Sequence, residues 1–246
     1  MIPAPRAITL DLDDTLWPIA PAIRAAEAAL GRWLAAHAPE VARRWPLEAM
    51  RALRERIAAE RADLAHDYSA QRRLSLEHML ADCGADPALA APAFDAFFAA
   101  RNRVDFYPDA VDALARLAAR VPVAALTNGN ADLAAIGLAR HFRFGLCARE
   151  HGRPKPSPCI YLAACERLGL APREVLHVGD DVELDVVGAA RAGLATCWIN
   201  RVPETGRARD WPHDDVRPDL QFPTLAALAD WLDAAHAGHR PDRSAA

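Results

Sequence analysis

The chain has 246 residues, of which 52% are hydrophobic and 25% charged, with a formal net charge of −4; this is the make-up of a globular protein with room for one sizeable core and a smaller module. The acidic balance argues against a nucleic-acid partner, and no apolar run approaches the roughly 18 residues of a membrane span. Five cysteines without a CxxC pair read as reduced structural thiols, and a start, MIPAPRAITL, without a basic and long apolar leader leads us to expect a cytoplasmic protein.

The first element is an apolar strand, ITL, that runs into Asp11, Asp13 and Asp14 and then Thr15 and Trp17. Like charges held this close disfavour ionisation unless something positive sits between them, so the cluster points to a cation, a phosphate, or both. From about residue 19 to 105 only helical patterns follow. Two of them open with Pro21 and Pro46, a third takes Ser69 as N-cap and Gly84 as stop, and a fourth carries Pro92 as a flaw. Thereafter helices and strands alternate: a helix from about Asp109 to Ala119, strand VPVAALT, a helix from about Ala131 to His141, a short strand near FRFGLC, helix SPCIYLAACERLGL, strand EVLHVGD, helix ELDVVGAARAG and strand ATCWIN. Such alternation predicts an α/β fold, a Rossmann-like parallel sheet with helices on both faces, into which the helical block is inserted. The expected domains are residues 1–16 and 106–246 for the α/β core and 17–105 for the helical cap. The final HAGHRPDRSAA reads as a disordered tail.

In a parallel sheet the residues just past the strands' C-terminal ends share one edge. DLDD, TNGN and GDD should therefore meet there. Asp11 with Asp13 supplies one acid to attack and one to move protons, although DLDDT alone also fits an acidic turn. Thr127 and Asn128 can donate to phosphate oxygens, whereas an isolated TNGN is also an ordinary turn with Asn130 as helix cap. Lys155 is the one lysine among 29 basic residues and sits between Pro154 and Pro156. Its compact ammonium suits a place between two anions that a planar guanidinium would not fit. Asp180, Asp181 and Asp185 offer hard oxygens without suitably spaced His or Cys, which favours Mg2+ over zinc. His177 reads as a core histidine.

These motifs, in this order, resemble the haloacid dehalogenase superfamily. The resemblance implies that Asp11 is the nucleophile and Asp13 the acid/base, that Thr127, Asn128 and Lys155 bind phosphate, and that Asp11, the Asp13 carbonyl and Asp180 hold Mg2+ with Asp181 and Asp185 in support. It also makes the helical insert a cap. Within the superfamily, LTNGNADLAAIGLARHF, EHGRPKP and LHVGDDVELDVVGAARAGLATCWIN are similar to the bacterial flavin mononucleotide phosphatase group, whose members also act on the phosphorylated ribitylaminouracil of riboflavin synthesis. The expected partner is a small phosphorylated metabolite bound by a monomer or homodimer, with no nucleic acid and no membrane. Tyr68, Arg72 and Arg73 in the cap could reach it, and Trp17 could stack on a flat ring. A dehalogenase and a non-catalytic phosphate- or metal-binding regulator are the alternatives. A phosphonoacetaldehyde hydrolase is excluded, because its Schiff base needs a cap lysine.

Overall fold

The computed structural model describes residues 2–202 and 206–237. Strand β1 (Ala7–Leu10) is buried throughout, as a strand covered on both faces must be. It pairs in parallel with β2 (Val123–Thr127) on one side and β4 (Val175–Gly179) on the other. With β3 (Gly145–Cys147), β5 (Ala195–Ile199) and β6 (Leu220–Phe222) the sheet has the order β3-β2-β1-β4-β5-β6. The register puts Leu10 beside both Ala125 and Val178, so Asp11, the TNGN segment and Gly179-Asp180 leave the sheet at one edge.

Between β1 and β2 lie α1 (Ile19–His37), α2 (Pro39–Arg44), α3 (Leu47–Glu60), α4 (Tyr68–Asp82), α5 (Ala90–Arg101) and α6 (Ala110–Arg120). The chain divides into two compact units, one of residues 18–105 with 129–136 and one of the remainder. In the helical unit Ala22, Ala26, Leu30 and Leu34 repeat every fourth residue along α1 and form one buried stripe. Leu53, Ile57, Leu76, Met79, Phe94 and Phe97 belong to the same helical unit's buried core.

The unit boundaries differ from the expected ones: residues 129–136 cluster with the helices, and Trp17 stays with the sheet. The helix expected over 131–141 is only α7 (Leu133–Ile136), because Gly137 at φ 86° breaks it before a 3-10 turn at Ala139–His141. Its cap is Asp132, which accepts from the main-chain N–H groups of Ala134 and Ala135 at 2.8 and 3.1 Å. Ser69 likewise is not the cap of α4; Asp67 is, accepting from Ala70 N–H at 2.9 Å. Pro92 is no flaw, since it falls in the first turn of α5, where a missing N–H costs nothing.

After β3 come α8 (Ala148–His151) and α9 (Pro158–Leu168), and β4 leads through a π-helical turn at Val182–Val187 into α10 (Gly188–Arg191). Strand β6 and α11 (Leu225–Ala237) were not expected. The helix takes in His236 and Ala237 of the expected tail, whose remainder lies outside the described residues. Among the described residues no helix is long and apolar enough to cross a membrane.

Candidate active site

Lys155 is 3% exposed, and its Nζ donates to Asp11 Oδ1 and to Asp185 Oδ1, each at 2.6 Å. The main chain that carries it is clamped by Asn128 at the end of β2, whose side-chain amide donates to Lys155 O at 2.9 Å and accepts from Lys155 N–H at 2.7 Å. Burial alone would lower the ammonium's pKa, but the two carboxylates outweigh it and hold the pKa above its ordinary value. Asp185 is equally buried, yet Lys155 and the His177 contact hold its carboxyl below the usual carboxylate range. The third group, Asp11, is raised well above that range by burial, since Lys155 is shared with Asp185.

His177, fully buried on β4, joins Asp185 Oδ1 through Nε2 at 3.1 Å and Thr9 Oγ1 through Nδ1 at 2.9 Å. An ionised carboxylate can only accept, which assigns the proton to Nε2 and leaves Nδ1 to accept from the Thr9 hydroxyl. Burial disfavours the imidazolium and lowers the His177 pKa, consistent with a neutral ring. Asp185 also accepts from Asp181 N–H at 2.9 Å. Gly179 makes room for it: a Cβ there would stand 2.2 Å from the Asp185 carboxyl carbon.

Asp180 accepts from Thr15 Oγ1 at 3.2 Å. Burial, with Asp185 and Asp14 nearby, pushes its carboxyl up to about 7. Oxygens of Asp11, Asp180 and Asp185 lie within 4.8 Å of one another, a group that could hold a metal ion. All three are hard carboxylate donors, which fits a hard divalent cation better than zinc. The carboxylates of Asp13 and Asp181 are not in this group. Asp181 caps the following turn by accepting from Leu184 N–H at 2.8 Å. Asp13 accepts from Trp17 Nε1–H at 2.8 Å across a tight loop in which Asp14 takes φ 60° and donates its N–H to Trp17 O at 2.7 Å. Trp17 therefore does not stack on a ligand: it is fully buried, edge-on to Phe106, and holds an acid in place. Thr127 is buried at the end of β2.

Residues 5–193 match the haloacid dehalogenase-like hydrolase family. The chain belongs to that family. It is 35% identical over 226 residues to 5-amino-6-(5-phospho-D-ribitylamino)uracil phosphatase YigB of Escherichia coli K12, a match covering 90% of this chain and 94% of that protein. It is 32% identical to the phosphoserine phosphatase of Thermus thermophilus, over 80% and 89% of the two chains. The solved 2-haloacid dehalogenase from Pseudomonas syringae pv. Tomato DC3000 superposes with a TM-score of 0.84 at 38% identity, over 95% of this chain and 99% of that one.

Two groups at this haloacid dehalogenase-like site carry no signal in the sequence. His177 is one, and Arg209 the other. Arg209 donates to the main-chain carbonyl of Asp180 and lies over the Trp198 ring at 5.5 Å from its centroid. Its backbone is bracketed by the Asn200 side chain, at 2.7 Å to Arg209 O and 3.1 Å from Arg209 N–H. This repeats the Asn128–Lys155 device on the other side of the acids. In the helical unit Tyr68 is half exposed, Arg73 is exposed over Phe94, and Arg72 is buried.

Proposed function

We propose that the protein is a Mg2+-dependent phosphatase that hydrolyses a small phosphorylated metabolite through an aspartyl phosphate. The observation that carries this reading is the pair of acids at the end of β1: Asp11 bonded to the buried Lys155, and Asp13 held separately by Trp17. Asp11 attacks phosphorus as the ester P–O bond breaks, and Asp13 gives its proton to the leaving oxygen. Asp13 then takes a proton from the water that attacks the phosphoaspartate, which frees phosphate and restores both acids. Lys155, the Thr127 hydroxyl and the main-chain N–H of Asn128 bind the phosphoryl oxygens, since the Asn128 side chain is engaged with Lys155. Asp11, Asp180 and Asp185, with the Asp13 carbonyl, would hold Mg2+, which when bound would supply positive charge to offset the repulsion between an anionic nucleophile and an anionic phosphate.

Similarity to YigB over nearly the whole chain supports the phosphorylated ribitylaminouracil as substrate, and the motif resemblance to the flavin mononucleotide phosphatase group supports flavin mononucleotide beside it. The dehalogenase likeness favours a second reading, displacement of halide from a 2-haloacid. That reaction expels halide, so it has no leaving oxygen to protonate and leaves the acid role of Asp13 without use. The test is turnover of phenyl phosphate, flavin mononucleotide and 2-chloropropionate with Mg2+ and after chelation. Both phosphate esters should be hydrolysed only with the metal, and Asp11→Asn should form no phosphoenzyme. Halide release, or full phosphatase activity in chelator, overturns the reading; phosphate binding without turnover would make the protein a regulator.

A further inference from the structure

The segment that follows β5 uses several contacts to hold one exposed arginine in place. Asn200 brackets the Arg209 backbone, and the Arg209 guanidinium lies over Trp198, whose ring meets Trp211 edge-on at 5.2 Å. Trp211 Nε1–H donates to Val216 O at 2.7 Å and closes the segment on itself. The neighbouring acid, Asp210, is taken by Arg207 at 2.7 Å. Arg209 Nη2 stands 3.5 Å from Oδ2 of Asp180, the one carboxylate that pairs with it among the described residues. Oδ1 of the same carboxylate accepts from Thr15. All of these residues belong to the sheet unit.

The other Arg209 contact, to the Asp180 carbonyl, is duplicated, because Trp198 Nε1–H donates to the same oxygen at 2.9 Å. What Arg209 alone supplies is charge. Lys155 pairs with Asp11 and Asp185, and among the described residues Arg209 is the one cation paired with Asp180. A metal ion taken up by Asp11, Asp180 and Asp185 would meet Asp180 with Arg209 already beside it, and like charges repel. We propose that Arg209 is a resident counter-charge of the cation site. It offsets the Asp180 carboxylate in the metal-free protein and weakens the hold on a bound ion, so that the ion exchanges more readily. The inference rests on the metal site of the phosphatase reading.

The test is calorimetric titration of metal-free wild type and Arg209→Met with Mg2+ at about pH 8, where Asp180 is ionised, together with the metal-free Tm of both. Methionine keeps an apolar stem on Trp198 and removes the charge. Arg209→Met should bind Mg2+ about two- to fivefold more tightly, the scale of an exposed ion pair, and yet melt below wild type without metal. The opposite signs are the signature, since a residue that merely supported the turn would lower both affinity and Tm. Raising NaCl from about 0.05 to about 0.5 M should shrink the difference in Kd, because exposed charges are screened. Unchanged or weaker Mg2+ binding, a metal-free Tm at or above that of wild type, or a Kd difference that salt leaves intact each overturns the proposal. If wild type binds no Mg2+ while Mn2+, a second divalent ion suited to carboxylates, does bind, the Mg2+ reading fails and the Mn2+ titration decides Arg209 by the same outcomes. Uptake of neither ion by wild type overturns both.

Discussion

A lysine between two carboxylates is a matter of size as well as charge. Lys155 Nζ reaches Asp11 and Asp185 at 2.6 Å each from a side chain that is 2% exposed. Lys155→Arg keeps the charge but must place a wide planar fork in a closed space, where over-packing costs about 1–3 kcal/mol. We expect it to reduce kcat on phenyl phosphate by at least about 100-fold, the scale of removing a preorganised charge at the reacting atoms, and to lower Tm as well. Near-wild-type kcat would make the lone lysine an accident of composition. At this scale the sequence singled out Asp11, Asp13, Lys155 and Asp180 as candidates, because acids at strand ends and one lysine among arginines are visible in residue type and spacing. It hid what depends on contact. His177 looks like any apolar-strand histidine until Asp185 is found 3.1 Å away, and Asn128 looks like a phosphate donor until its side chain is seen on Lys155.

The elements that hold the site were legible where a run of buried residues is longer than a turn. Strands β1, β2, β4 and β5 are such runs, whereas β6 has three residues that are only partly covered or exposed. Caps were less legible, because Asp67 and Ser69 are equally good candidates until the backbone selects Asp67. Asp109 shows how far such a choice can reach. It precedes α6, pairs with Arg201 at 2.8 Å, and accepts from the N–H groups of Leu225 and Ala226 at 2.8 and 3.2 Å, so it caps α11 more than a hundred residues away. Burial opposes its ionisation, but the Arg201 hydrogen bond and charge outweigh it and lower the Asp109 pKa. A carboxyl with a depressed folded pKa adds stability above its unfolded pKa and loses it as pH falls through the folded value. Asp109→Asn should therefore cost about 1 kcal/mol near pH 7, the scale of a lost cap. The gap in Tm between wild type and variant should hold from pH 7 to 5 and narrow below about 4. A gap that does not depend on pH would mean that Asp109 acts through shape alone.

Across the whole molecule the site is a region of stored repulsion in the metal-free protein. Of three carboxylates within 4.8 Å, Asp11 and Asp185 share one buried lysine, and Arg209 adds a second positive charge beside Asp180 only at the rim. Asp180 is where the imbalance shows, with its carboxyl pushed up to about 7 by burial and by its acidic neighbours. A carboxyl whose folded pKa lies above its unfolded value favours folding when protonated, so the metal-free fold loses stability as pH rises from about 4 to about 7. Removing the charge should then stabilise what it disables. We expect metal-free Asp180→Asn at pH 7.5 to melt about 2–4 °C above metal-free wild type, the shift that about 1 kcal/mol produces in a chain of this length. A cation bound only by the folded state should raise the wild-type Tm, by about 2.7 kcal/mol in stability at a hundredfold excess over Kd. In Asp180→Asn that increment should largely vanish along with turnover. A variant that melts below metal-free wild type, or that gains as much from Mg2+, would show that Asp180 supports the fold instead of holding the ion.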